Sequence, residues 1–189
     1  FRIDLRKRSY PARNQAAKEL RLRHDEILGA SPLRKDLWKS LAEDTSMQLA
    51  AFQERSILRL LEEIPNSGTI ITAGTGSGKT LAYYLPILLR VGDLIQANNY
   101  WVKALSIYPR TELLKDQLAE TFKRSRMLDQ ALRDNGKRPI LMGAFFGSTP
   151  TKADYNSVKN KWKRLRGAFH CPWFSCPKCG GNLIWRDED

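Results

Sequence analysis

The feature that most constrains this chain is a glycine-rich loop at residues 73–80, with the sequence Ala-Gly-Thr-Gly-Ser-Gly-Lys-Thr. The β-branched run 69–72 precedes the loop, and the apolar segment 81–85 follows it. A strand, a glycine loop and a helix in this order are the context of a phosphate-binding P-loop. Glycines let successive N–H groups point at one polyphosphate, and the helix N-terminus adds partial positive charge. The sequence therefore predicts a nucleotide site; the alternative is a flexible turn that happens to contain a lysine.

The side chains of the loop have distinct predicted roles. Lys79 is expected to reach the β- and γ-phosphates, and the Thr80 hydroxyl is expected to bind Mg²⁺, so these two residues are the predicted catalytic pair. The complete set of predicted nucleotide contacts in the loop is Thr75, Gly76, Ser77, Gly78, Lys79 and Thr80.

The charge balance favours a polyanionic partner. The 189 residues include 32 Lys and Arg against 20 Asp and Glu, which gives a net charge of +12. Nucleic acid is the partner that such an excess favours, and a lysine-rich solvated surface is the alternative. Pro86 and Arg90 interrupt the longest apolar run, and no signal peptide precedes it, so we expect a cytoplasmic protein without a membrane segment.

Residues 1–46 are expected to form a basic helical arm. From about Ala12 the pattern is helical, Gly29 is a natural stop, and Ser31-Pro32 begins a second helix. The arm could contact phosphates, or it could be an ordinary solvated amphipathic helix. Its basic residues up to position 23 are Arg2, Arg6, Lys7, Arg8, Arg13, Lys18, Arg21 and Arg23.

A helix is predicted from about residue 49 to 64, with apolar residues at helical spacing. Gln53 lies near its start and precedes Lys79 by 26 residues. A side-chain amide donates and accepts at the same time, so Gln53 could select adenine over guanine. The alternative is a surface glutamine at the start of a helix.

Two further strands are predicted, at 104–108 and 139–146. Arg110 and Thr111 follow the first of them and begin a helix, where backbone N–H groups, a guanidinium and a hydroxyl can contact a nucleic-acid phosphate. Thr149 follows the second, at the edge where ligands bind in open α/β sheets. Thr149 could also contact a phosphate, although an ordinary turn explains this stretch equally well.

The C-terminal part carries a basic stretch and all three cysteines. Residues 152–166 place Trp162 among cations, which suits base stacking on an exposed ring or, equally, a solvated helix with one buried tryptophan. The turn Cys176-Pro-Lys-Cys179-Gly is typical of a zinc knuckle, with Cys171 or His170 as further candidate ligands. The predicted metal ligands are Cys171, Cys176 and Cys179; reduced structural cysteines are the alternative.

Several of these motifs together resemble the superfamily 2 helicases. Residues 73–80 resemble motif I, with Ala73 in place of the usual first glycine, and Gln53 resembles the glutamine of the Q motif. The stretch 108–117 resembles motif Ia in the MrfA/Hrq-like branch and in large bacterial anti-phage helicases of the Druantia type. DEAD-box proteins instead carry Pro-Thr-Arg-Glu-Leu in motif Ia. Ser148 replaces an aspartate of the branch.

The resemblance implies an α/β fold, a partial RecA-like P-loop domain with a parallel sheet flanked by helices, N-terminal helices and a C-terminal zinc-ribbon insertion. The RecA-like part would be 47–166, and an incomplete zinc knuckle would be 167–189. The implied function is that of an ATP-dependent DNA helicase or translocase using ATP, Mg²⁺ and Zn²⁺, in a bacterial anti-phage defence complex with other subunits.

The acidic motif II and the second motor domain of such an enzyme are not visible in the sequence. Residues 187–189 are acidic, but no apolar strand precedes them. We therefore expect the N-terminal part of a larger enzyme, inactive by itself. The alternatives are a non-motor nucleic-acid-binding zinc-ribbon module with a regulatory nucleotide site and, more remotely, an unrelated P-loop enzyme such as a nucleotide kinase.

Overall fold

A computed structural model describes residues 10–62, 67–74, 76–96, 98–147, 149–150, 152 and 154–186. The sequence predictions that fall outside these residues concern the first nine positions of the arm, the end of the predicted helix at 63–64, the loop residue Thr75, Ser148, and the acidic end 187–189. The chain divides into two compact units. The first comprises Phe1–Ala104 with Gln130–Arg138, and the second comprises Leu105–Asp129 with Pro139–Asp189.

The described helices are short except for two. In chain order they are α1 (Ala17–Arg23), α2 (Asp25–Leu28), α3 (Pro32–Trp38), α4 (Ala51–Leu61), α5 (Lys79–Leu94), α6 (Thr111–Met127), α7 (Asp129–Asp134) and α8 (Tyr155–Lys159), with a π-helical turn at Lys39–Glu43. The strands are β1 (Arg13–Ala16), β2 (Gln48–Ala50), β3 (Lys163–Leu165), β4 (Ala168–Ser175) and β5 (Asn182–Trp185). No described helix combines the length and apolarity that crossing a membrane would require.

Residues 13–16 of the arm form a strand and not the predicted helix. β1 pairs antiparallel with β2, with Arg13 opposite Ala50 and Ala16 opposite Gln48. The predicted helix begins only at Ala17, whose N–H donates to Met47 O at 3.0 Å. The prediction was wrong here because a ladder with a distant segment satisfies the backbone groups that a helix would otherwise pair internally.

The core of the first unit is built around α3 and α5. α3 begins as the sequence predicted, with Pro32 in its first turn and the Ser31 hydroxyl accepting a hydrogen bond from Arg34 N–H at 3.1 Å. The fully buried indole of Trp38 donates to Ala17 O at 3.0 Å. A Cβ added at Gly92 of α5 would lie 2.4 Å from Leu37 Cδ1, so a glycine allows the close approach of the two helices.

α5 confirms the helix predicted directly after the glycine loop, and it is largely buried. Its buried residues include Ala82, Leu85, Leu88 and Leu89. A proline inside a helix is expected to kink or divide it, yet α5 is continuous over 16 residues with Pro86 inside it. A helical proline removes one backbone hydrogen bond, and packing of both faces of α5 offsets that loss.

The three predicted strands of a parallel sheet form no ladder in the described part of the chain. Residues 67–74, 102–108 and 139–145 have no helical or strand assignment, and both described sheets are antiparallel. Ile70 is 91% exposed, Ile107 85% and Phe145 84%. The backbone hydrogen bonds of a strand are made to a neighbouring strand, whereas those of a helix are made within the helix. A segment with strand propensity therefore forms a strand only where another strand lies beside it.

The second unit contains α6 and a three-stranded sheet in the order β3-β4-β5. Lys163 of β3 lies opposite His170 of β4, which in turn lies opposite Ile184 of β5. Trp162 contacts Trp173 and Trp185 edge-to-face at centroid distances of 5.3 and 6.5 Å. The predicted alternative of a packed tryptophan therefore fits better than an exposed stacking ring.

Candidate nucleotide-binding site

The glycine loop has the backbone conformation that its glycines allow. Gly76 has φ +78° and Gly78 has φ +90°, a region that L side chains rarely adopt. The Ser77 hydroxyl donates to Gly74 O at 2.7 Å, and the Ser77 N–H donates to the same oxygen at 3.3 Å. Gly78 then caps the N-terminus of α5. These bonds close the loop upon itself in front of a 16-residue helix, whose N-terminus favours anions.

The side chain of Lys79 lies across this loop. Its ammonium donates to Ala73 O and, at 2.9 Å, to Gly74 O. A polyphosphate would compete with these two carbonyl oxygens for the ammonium. Thr80 is the second residue of α5 and is partly exposed, and its contact with Mg²⁺ stays a prediction.

Gln53 joins the start of α4 to the loop. Its side chain is fully buried, Oε1 accepts from Ala50 N–H at 2.8 Å, and Nε2 donates to Gly78 O at 2.8 Å. The alternative of a surface glutamine is therefore wrong. Both polar atoms of the amide contact the protein backbone, so the side chain acts as a strut between α4 and the loop, and its contact with adenine stays a prediction.

Two arm residues also lie beside the loop: Arg13, one of the basic residues named in the sequence analysis, and Tyr10, which the sequence analysis did not single out. A Cβ added at Gly78 would be 2.9 Å from Arg13 Nη2, and one added at Gly76 would be 3.0 Å from Tyr10 Cε1. The basic composition of the arm was the one signal that could have suggested such a contact. The composition did not identify Arg13, because Arg13 is brought to the loop by the pairing of β1 with β2.

The residues predicted to contact nucleic acid differ in exposure. Arg110 is the N-cap residue of α6, Thr111 is its first residue, and both are exposed. Thr149 is only 6% exposed, and its hydroxyl donates to Phe146 O at 2.7 Å and accepts from Phe146 N–H at 3.2 Å. Thr149 thus closes the turn after residue 146, which was the alternative interpretation, whereas Arg110 and Thr111 can be reached by a ligand.

The structure does not bring the three predicted zinc ligands together. Cys176 and Cys179 share the β4–β5 turn, where backbone N–H groups of Cys179 and Lys178 hydrogen-bond the Cys176 sulfur and lower the pKa of that thiol. Cys171 is buried within β4, and a strand rises about 3.3 Å per residue, which separates it from the turn. No cluster of three or more His, Cys, Asp or Glu side chains suited to a metal is found in the described part of the chain.

Comparison with known proteins adds a family match over the region of the loop. The family model described as DEAD/DEAH box helicase matches residues 50–165. The chain is 45% identical over 73 residues to the DEAD-box ATP-dependent RNA helicase 36 of Oryza sativa subsp. japonica, covering 39% of this chain and 13% of that protein. It is 26% identical over 142 residues to the mitochondrial ATP-dependent RNA helicase MSS116 of Saccharomyces cerevisiae, covering 75% of this chain and 20% of that protein.

The matched regions therefore correspond to a fifth or less of the length of these two relatives. No solved structure matches the chain. The family match begins at Ala50, the last residue of β2, and ends at Leu165. Gln53, the glycine loop, α5 and α6 therefore fall within it, whereas β1 and the β4–β5 turn fall outside.

Proposed function

The chain belongs to the DEAD/DEAH box helicase family, and with it to the α/β proteins with a partial RecA-like fold; from this premise we propose that it is the nucleotide-binding part of an ATP-dependent helicase or translocase. The observation that carries the proposal is the closed glycine loop. It places Gly76 and Gly78 in left-handed conformations, holds the ammonium of Lys79, and leads into α5.

The loop residues fit ATP and Mg²⁺, the cofactors of this family. Gly78 has φ +90°, a conformation that L side chains rarely adopt, so a glycine suits this turn of the phosphate loop. Lys79 would neutralise phosphate charge, the N–H groups at the start of α5 would hold the phosphate oxygens, and Thr80 would bind Mg²⁺. Bound ATP supplies the phosphoanhydride whose hydrolysis drives movement.

The proposed nucleic-acid contact is the exposed N-terminus of α6. Arg110 and Thr111 would address a phosphate there, and the net charge of +12 favours the same partner. The contribution of Thr149 would require its hydroxyl to leave Phe146. Because backbone phosphates dominate affinity and carry no sequence information, we expect salt-dependent and sequence-tolerant binding.

The choice of substrate is a finer proposal. The relatives named above are RNA helicases, whereas the motif Ia stretch 108–117 resembles the MrfA/Hrq-like DNA helicases, and we propose DNA on the strength of that motif. A cytoplasmic place in an anti-phage defence complex is proposed on the resemblance to Druantia-type helicases alone. RNA-stimulated activity without DNA stimulation would overturn the DNA assignment.

A zinc ion at the β4–β5 turn is also part of the proposal. Hydrogen bonds from the backbone N–H groups of Cys179 and Lys178 lower the pKa of the Cys176 thiol, which favours the thiolate form that binds zinc, and Cys179 lies three residues on in the same turn. Two ligands do not complete a tetrahedral site, so the proposal is limited to Cys176 and Cys179 as the pair that holds the ion from this side.

The test uses the full-length protein of which this sequence is part. ATP hydrolysis is measured without nucleic acid, with single-stranded DNA and with single-stranded RNA, for the wild type and for Lys79→Ala. Lys35→Ala, which changes an exposed lysine of α3, is the matched control. We expect stimulated hydrolysis that Lys79→Ala abolishes and Lys35→Ala leaves unchanged. Nucleotide binding without hydrolysis under all three conditions would instead favour a non-motor module with a regulatory nucleotide site.

A further inference from the structure

The arm places a second cation beside the phosphate loop. Arg13 is the first residue of β1 and lies opposite Ala50, whose N–H in turn is held by Gln53 Oε1. Gln53 Nε2 holds Gly78 O, so that a continuous set of backbone and side-chain hydrogen bonds connects the arm, α4 and the loop. This connection places the backbone of Arg13 beside the loop.

The distance from Arg13 to the loop can be bounded. Its Nη2 lies 2.9 Å from the Cβ position of Gly78, and a Cα–C bond is about 1.5 Å, so the nitrogen is within about 4.4 Å of the Gly78 Cα. A phosphate oxygen that accepts a hydrogen bond from a backbone N–H group at the start of α5 lies about 2.9 Å from that backbone nitrogen. A guanidinium at this place is therefore close enough to contact the same phosphate chain.

The charge of Arg13 is not used elsewhere in the described part of the chain. None of the described carboxylates pairs with it, whereas the nearby Arg23 pairs with Glu54 and Arg21 with Glu43. An exposed arginine whose head group lies against a glycine loop, and not against an acid, has the chemistry of a phosphate ligand, since guanidinium binds phosphate oxygens through two parallel N–H donors.

We propose that Arg13 is a further nucleotide-binding residue that contacts the polyphosphate of ATP alongside Lys79. Arg13 lies outside the region that matches the helicase family, residues 50–165, so the arm supplies part of the nucleotide site. The proposal rests on the proposed function of the glycine loop. The ring of Tyr10, another arm residue, lies close to Gly76 of the same loop.

The test compares Arg13→Gln with Arg13→Lys in the full-length protein, and Arg55→Gln, an exposed arginine of α4, is the matched control. Affinities for ATP, ADP and adenosine are measured by competition with a fluorescent ATP analogue at low and at moderate salt. A charge-assisted hydrogen bond at an exposed site is worth roughly a five- to tenfold change in affinity. We expect Arg13→Gln to lower the affinity for ATP by that factor, to lower the affinity for ADP by less, and to leave the affinity for adenosine unchanged.

Arg13→Lys should recover part of the lost affinity because it keeps the charge without the paired donors. Equal effects of Arg13→Gln and Arg55→Gln on ATP would overturn the proposal, and so would an equal loss for adenosine and ATP, which would indicate base contact or misfolding. Failure of the proposed function itself has a different signature: the wild type would then bind no ATP, or Lys79→Ala would bind it as well as the wild type.

Discussion

Replacing Gln53 by glutamate tests the strut between α4 and the glycine loop. The substitution keeps the shape of the side chain and keeps an oxygen to accept from Ala50 N–H, but it places a second oxygen against Gly78 O, where an N–H now donates at 2.8 Å. The site is fully buried, so an ionised carboxylate loses its hydration and faces a carbonyl oxygen. Only the protonated carboxyl can donate to Gly78 and restore the bond.

The magnitude follows from these two contacts. Losing the bond and leaving a buried carbonyl unpaired costs about 1–3 kcal/mol of folding free energy. Burial also raises the pKa of the introduced carboxyl above its unfolded value of about 4.3, and each pKa unit corresponds to about 1.4 kcal/mol of stability lost when the carboxyl ionises. The variant is therefore closest to the wild type below about pH 4, and it loses stability as the pH rises through the folded-state pKa. We expect a deficit under about 1 kcal/mol near pH 4 and of about 3 kcal/mol near pH 8.

The assay is urea unfolding of the wild type, Gln53→Glu and the exposed control Gln48→Glu at several pH values between 4 and 8. A deficit for Gln53→Glu that does not change with pH would refute the buried strut, and so would a deficit equal to that of Gln48→Glu. Nucleotide affinity of the same variant gives a second readout. If Gln53 acts as a strut, the affinities for ATP and GTP should fall equally. A loss of affinity for ATP alone would indicate the adenine contact that the sequence predicts.

Two further predictions concern the other proposed contacts. Arg110→Ala should weaken nucleic-acid binding several-fold and lower its salt dependence without changing the melting temperature. Thr149→Val should instead lower the melting temperature, because it removes the hydroxyl bonds to Phe146. The reverse pattern in filter-binding and thermal-unfolding measurements would contradict the assignment. Cys176→Ser and Cys179→Ser should each remove zinc from the full-length protein by elemental analysis, and Cys171→Ser should retain it because that thiol is buried in β4. Zinc lost equally from all three variants would restore the three-cysteine site.

The glycine loop was predictable because its determinants are local. Glycines at 76 and 78, a lysine next to them and an apolar helix after them are consecutive in the chain, and the structure has left-handed glycines followed by α5 as expected. The cap of α3 at Ser31-Pro32 was predictable for the same reason. Local backbone preferences of glycine, proline and serine operate within a few residues, so they can be recognised without knowing the rest of the fold.

Contacts between distant segments could not be predicted in the same way. The sequence indicated a helix from Ala12, whereas pairing with β2 makes residues 13–16 a strand and brings Arg13 to the loop. Spacing grouped Cys171 with the later cysteines, whereas the strand direction of β4 separates them. Apolar periodicity marked residues 104–108 as a strand, but ladder bonds depend on a second edge that the periodicity of one segment does not describe.

The sequence by itself determined the nucleotide loop, the helix after it and the basic character of the chain, since each depends on residue types or on their order over short distances. The tertiary structure alone decided that the Gln53 amide is buried against the loop, that Arg13 lies beside it, and that Thr149 closes a turn. The physical reason is that hydrogen bonds and ion contacts between distant residues depend on where packing brings those residues together.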